Sequence, residues 1–130
     1  MARILIIEDN PENMELMVYL LSAFGHTVTE TTQGDHGLEL ARQETPDIIL
    51  CDLHMPGMDG YEVVHRIKHD PELAHIPLLA VTAYAMVGDR EKVLAAGFNG
   101  YISKPINPEM FVREVEMFLP PQASRSSKKG

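Results

Sequence analysis

Five short apolar runs punctuate the chain: "RILII" (3–7), "TVTE" (27–30), "DIILC" (47–51), "PLLAVT" (77–82) and "GYISK" (100–104). Each has the length of a strand. Most are continuous rather than alternating, the pattern of strands buried on both faces. Between them, apolar residues recur at helical spacing around 11–24, 35–44, 60–69, 86–96 and 108–119. Asn10-Pro11 and Asn107-Pro108 read as an N-cap followed by a first-turn proline, while Gly25 and Gly97 stand where a left-handed C-cap is needed. Strands alternating with helices predict an α/β fold, a parallel sheet covered on both faces. The 130 residues suffice for one core, and no repeat or second domain is visible.

In such a sheet, ligand chemistry collects at the carboxyl ends of the strands. The polar residues fall there. The first run ends in Glu8-Asp9, the third in Asp52, the fourth in Thr82 and the fifth in Lys104. Three carboxylates crowded at one edge repel by about 4 kcal/mol per pair at 4 Å and an effective dielectric near 20, so a cation must compensate. Oxygen ligands without Cys or His suit Mg²⁺, with Mn²⁺ as a substitute, rather than zinc. A carboxylate can also attack phosphorus to give an aspartyl phosphate. Asp52 is then the phosphoacceptor. Asp9 holds the metal directly, Glu8 by way of water, and Asp52 and the His54 backbone carbonyl complete the protein's share. Lys104 pairs with a phosphoryl oxygen and Thr82, with Ala83 beside it, binds another.

Composition narrows the class. No stretch reaches the roughly 18 consecutive apolar residues of a membrane span, and "MARILIIEDN" turns acidic too soon for a leader peptide. The expectation is a cytoplasmic protein with no membrane partner. A formal charge of −8 argues against nucleic acid. The stretch 120–130, "PPQASRSSKKG", carries three basic residues and no acidic ones, so removing its +3 leaves −11 on residues 1–119. It reads as a disordered basic tail, native or artificial, following a domain over 1–119. The single Cys51 has no CxxC partner and reads as a core residue.

Taken together, "LIIEDN" (5–10), "PDIILCDLHMPGMDGYEV" (46–63), "PLLAVTAYA" (77–85) and "GYISKPI" (100–106) resemble the receiver domain of two-component response regulators. The likeness covers 3 to about 119. It implies a flavodoxin-like (CheY-like), doubly wound five-stranded sheet of order 2-1-3-4-5 with five helices. It also implies phosphorylation by a histidine kinase or histidine phosphotransfer protein, and a cis peptide before Pro105. In the family, the acidic pair is Asp-Asp or Glu-Asp, so Glu8 fits. The family's switch implies that Thr82 moves toward the phosphoryl group and Tyr101 turns inward, changing the surface of helix 4, strand 5 and helix 5. Tyr101 as an ordinary half-buried strand residue is the alternative. The wording of 82–106 is similar to hybrid-kinase receivers and stand-alone regulators of the DivK type. With only a polar tail after the domain, the expected output is another protein, or onward passage of the phosphate, by a monomer or a phosphorylation-dependent dimer.

In helix 1 the densest apolar arc, Leu16, Met17, Leu20, Leu21 and Phe24, is expected to face the sheet. Met14 and Val18 fall outside it and either contact the phosphodonor or widen the buried stripe. Ala85, Met86 and Val87 offer apolar side chains after strand 4 as an output contact. His54 and Tyr84 flank the expected phosphoryl site and are expected to influence its hydrolysis. His65 and His69 have the spacing of a helical metal pair but lack the Glu of HExxH, and read as a solvated face. The eight Met are scattered as core filling.

Rival functions are a phosphorylation-independent binding module and an aspartate-nucleophile phosphatase. The phosphatase needs a second Asp where this chain has His54. A flavodoxin-like nucleotide binder needs a phosphate loop that the acidic "EDNPE" would repel. The chain therefore reads as a signalling receiver that catalyses only its own phosphorylation and dephosphorylation.

Overall fold

The computed structural model describes residues 2–83 and 87–119, with the side chains of Val87 and Gly88 excepted. Ten elements alternate along the chain: β1 (Arg3–Ile7), α1 (Pro11–Ala23), β2 (Thr27–Thr31), α2 (Gly34–Glu44), β3 (Ile48–Asp52), α3 (Gly60–Lys68), β4 (Leu78–Thr82), α4 (Val87–Ala96), β5 (Gly100–Ser103) and α5 (Pro108–Glu116). The strands form one parallel sheet in the order β2-β1-β3-β4-β5. The expected architecture is therefore found. Ala85, Met86, the side chain of Val87, Tyr84 and the stretch 120–130 lie outside the described residues.

Period-two alternation along each strand sends successive side chains to opposite faces. Ile4, Ile6, Ile48, Leu50, Leu79, Val81 and Ile102 pack against Met17 and Leu21 of α1 and Phe111 and Val115 of α5. Leu5, Ile7, Ile49, Cys51, Leu78 and Ala80 pack against α2, α3 and α4 through Leu38, Val63, Val64, Ile67 and Val93. Every residue of β3 and β4 is buried, as central strands of a doubly covered sheet must be. Each buried Ile or Leu contributes about 1.5–3 kcal/mol, the reserve against which charged strand ends are tolerated.

The helix ends follow the sequence signals. The side chain of Asn10 accepts from the N–H of Asn13 at 2.9 Å and that of Asn107 from the N–H of Glu109 at 3.0 Å, each ahead of its proline. Gly25 and Gly97 take φ of 89° and 118°, a region costly for other residues. The arc expected for α1 is buried at Met17 and Leu21 and packs in part at Leu16 and Leu20, but not at Phe24. Its buried line is Met14, Met17 and Leu21, whereas Phe24 is the C-cap and is 66% exposed. The chain leaves the helix there to turn at Gly25. Met14 is 6% exposed within the α1–α5 core, and Val18 is half-buried against it. Met14 thus lies within the buried stripe with almost no surface to offer a docking partner, and Val18 lies at its edge.

The loop after β3 closes tightly on α3. The N–H of Gly60 donates to the carbonyl of Leu53 at 3.0 Å. A Cβ on Gly60 would lie 2.5 Å from the Asp52 carbonyl oxygen and 2.8 Å from Leu53 Cα, both backbone atoms that cannot step aside. At Gly37 the obstruction is not backbone but the side chain of Ile7, its Cδ1 and, at 2.8 Å, its Cγ1. Gly60→Ala is therefore expected to destabilise by about 1–3 kcal/mol and Gly37→Ala by less, as read from urea unfolding. Equal costs would show that the loop yields as easily as a side chain.

Candidate functional site

The sheet register brings the carboxyl ends level. Ile7 pairs with Cys51 and Asp52 with Val81, while Thr82 pairs with Ser103. Beyond the strands, the N–H of Glu8 donates to the Thr31 carbonyl at 3.0 Å and that of Lys104 to the Thr82 carbonyl at 2.8 Å. Alternation then sorts the side chains by face. Glu8 continues the line of Ile4 and Ile6, Asp52 that of Ile48 and Leu50, and Lys104 that of Ile102, all toward α1 and α5. Thr82 continues the line of Leu78 and Ala80 on the other face, where Tyr101 also packs.

One carboxylate oxygen from each of Glu8, Asp9 and Asp52 lies within 4.8 Å of the others. Glu8 is fully buried, Asp52 is 5% exposed, and Asp9 sits half-exposed at the rim. The Lys104 ammonium lies between two of them, 3.2 Å from Asp52 Oδ2 and 3.0 Å from Glu8 Oε1, and donates to Glu8 Oε2 at 3.2 Å. The N–H of Asn10 also donates to Glu8 Oε2, at 3.1 Å, and the N–H of His54 to Asp52 Oδ1, at 3.2 Å. Sequence reasoning paired Lys104 with a phosphoryl oxygen only. Its reach to Glu8 across the intervening strands was missed, because that depends on the path of a long side chain rather than on spacing. The His54 side chain is exposed, Thr82 is fully buried, Ala83 is exposed, and the Lys104–Pro105 peptide is cis. Arg90 Cζ stands 5.8 Å from the centre of the half-buried Tyr101 ring.

One ammonium cannot balance three carboxylates. Burial, reinforced by the hydrogen bond and charge of Asp52, pushes the Glu8 carboxyl up to about 7. Burial and the same neighbour raise Asp9. Burial pulls the Lys104 ammonium down, but the pairing with Glu8 and Asp52 outweighs it and the net shift is upward. Glu8 Oε1 accepts no hydrogen bond among the described residues, its approach to Lys104 being an ion contact only. A buried anionic oxygen short of partners, beside two further carboxylates and with no nitrogen or sulfur donor in the cluster, fits a hard dication such as Mg²⁺.

Comparison with known proteins agrees with this geometry. Residues 4–116 match the response regulator receiver domain, and the chain belongs to that family of two-component signalling modules. It is 43% identical over 116 residues to the polar-differentiation response regulator DivK of Brucella anthropi, covering 89% of this chain and 94% of that protein. The receiver domain of a Pseudomonas aeruginosa sensor histidine kinase, solved with a magnesium ion coordinated in its active site cleft, superposes with a TM-score of 0.82. It is 33% identical, covering 90% of this chain and 96% of that one. The chemotaxis protein CheY4 of Vibrio cholerae superposes with a TM-score of 0.86 at 26% identity, covering 92% of this chain and 99% of that one. Among the described residues no helix is long and apolar enough to cross a membrane.

The raised Glu8 pKa has a signed consequence for stability. Between the ordinary value of 4.5 and about 7, the folded protein holds a proton that the unfolded chain releases. Stability from this group is thus complete below about pH 4.5 and is lost as pH rises through 7. Without divalent ions, urea unfolding of the wild type relative to Glu8→Gln should lose on the order of 3 kcal/mol between pH 4.5 and 8. Millimolar Mg²⁺ should restore stability at the alkaline end in the wild type only. A difference independent of pH would show that Glu8 ionises without strain.

Proposed function

We propose that Asp52 accepts a phosphoryl group from a histidine kinase or histidine phosphotransfer protein in a Mg²⁺-dependent reaction. The observation that carries this reading is the cluster of Glu8, Asp9 and Asp52 with Lys104 bridging Glu8 and Asp52. A carboxylate oxygen of Asp52 attacks phosphorus, and the bond from phosphorus to the donor's imidazole nitrogen breaks. The electron pair stays on that nitrogen, which takes a proton from water, and the product is an acyl phosphate. Glu8, Asp9, Asp52 and the His54 carbonyl would hold Mg²⁺, or Mn²⁺ in its place, which would supply charge neutralisation for the transferring oxygens.

The chain's own groups account for the rest. Lys104, now shared between Glu8 and Asp52, transfers its contact from Asp52 to a phosphoryl oxygen, so the ammonium is already in position. Thr82 donates its hydroxyl to another oxygen, with Ala83 next to it at the rim. As Thr82 moves, the Tyr101 ring turns inward, leaving its place near Arg90. The change alters the face of α4, β5 and α5, through which the protein signals to a downstream protein or passes the phosphate on, as a cytoplasmic monomer or a phosphorylation-dependent dimer. The resemblance to DivK supports a stand-alone receiver. On this reading, its catalysis is limited to its own phosphorylation and dephosphorylation.

Incubation with acetyl phosphate and Mg²⁺, followed by intact-mass spectrometry, tests the assignment. One added phosphoryl group is expected on the wild type, and none on Asp52→Asn or with EDTA. An equal adduct on Asp52→Asn would move the acceptor elsewhere.

A further inference from the structure

Away from the acid pocket, α2 and α3 border an open groove of about 640 Å³. On its α3 side the rings of His65 and His69 lie one turn apart, with centroids 4.2 Å from each other and planes inclined by 38°. Both residues are exposed. His69 Nδ1 lies 2.7 Å from the backbone carbonyl of His65. A carbonyl oxygen can only accept, so Nδ1 must carry the proton, and Nε2 of a neutral ring is left with a bare lone pair. This is the arrangement by which metal-ligating histidines are fixed in tautomer and orientation.

The surroundings favour a cation as well. His69 is the C-cap of α3 and His65 lies in its last turn, where the negative end of the helix attracts positive charge. The groove's two guanidiniums are occupied: Arg66 donates to Glu62 at 2.8 Å and Arg42 to Asp70 at 3.4 Å. Neither therefore opposes an incoming ion with an unbalanced charge.

We propose that His65 and His69 form a second metal site, taking a borderline-soft divalent ion of the Zn²⁺, Ni²⁺ or Cu²⁺ class through two imidazole nitrogens, with water completing the coordination. Imidazole donors select this class, whereas the oxygen-only cluster of Glu8, Asp9 and Asp52 selects Mg²⁺. The two sites are chemically orthogonal and occupy different parts of the fold, so neither assignment depends on the other.

Zinc titration of the full chain by calorimetry, with millimolar Mg²⁺ present throughout to occupy the acid pocket, tests the proposal. One zinc per chain is expected, weakened at least about tenfold in His65→Ala and in His69→Ala and unchanged in Asp9→Ala. Thermal unfolding supplies a second readout: zinc should raise the midpoint of the wild type and of Asp9→Ala, but not of the histidine variants. Zinc binding that survives both histidine substitutions, or that is lost instead in Asp9→Ala, would overturn it, as would no binding at millimolar zinc.

Discussion

Three carboxylates and a single ammonium meet at the carboxyl edge of a buried sheet, and the imbalance governs what surrounds them. Glu8 and Asp52 are nearly or wholly withdrawn from water, so their mutual repulsion is poorly screened. Lys104 offsets part of it from the same face of the sheet, after β5, two strands beyond β3 in the order β2-β1-β3-β4-β5. Burial, with the hydrogen bond and charge of Asp52 added to it, pushes the Glu8 carboxyl up to about 7, and its Oε1 accepts no hydrogen bond among the described residues. Such strain persists only because the apolar layers on both faces of the sheet hold the strand ends in place. A site under this tension is predisposed to a divalent ion.

Much of the arrangement is legible in the sequence, because it depends on short-range rules. Continuous apolar runs marked strands covered on both faces, as β3 and β4 are, and the first polar residue after each run marked the functional edge. The caps at Asn10 and Asn107 were equally local. The strand order came with the family resemblance, and the register and faces that set Glu8, Asp52 and Lys104 together came with the structure.

The misreadings lie where tertiary packing overrides local pattern. In α1, Met17 and Leu21 of the expected arc are buried and Leu16 and Leu20 pack against the same core, but Met14 joins that face and Phe24 is released to solvent where the helix ends. The contact of Lys104 with Glu8 joins residues 96 positions apart and depends on a side-chain path that no spacing encodes. His65 and His69 do lie on an exposed face, as the missing Glu of HExxH led one to expect, but the hydrogen bond from His69 Nδ1 to the His65 carbonyl is a further side-chain path that no spacing encodes. Membership in the receiver family agrees with the acid pocket and is silent about this histidine pair.

The central claim is that the acid cluster is a binding site for one hard divalent ion. Crystals grown with Mn²⁺ and measured for its anomalous scattering test this most directly, since the ion substitutes for Mg²⁺ and its anomalous signal distinguishes it from water. The account predicts one strong peak in contact with the carboxylates of Asp9 and Asp52, near Glu8, with Lys104 still adjacent. No peak there at saturating Mn²⁺, with the three carboxylates turned apart, would contradict it.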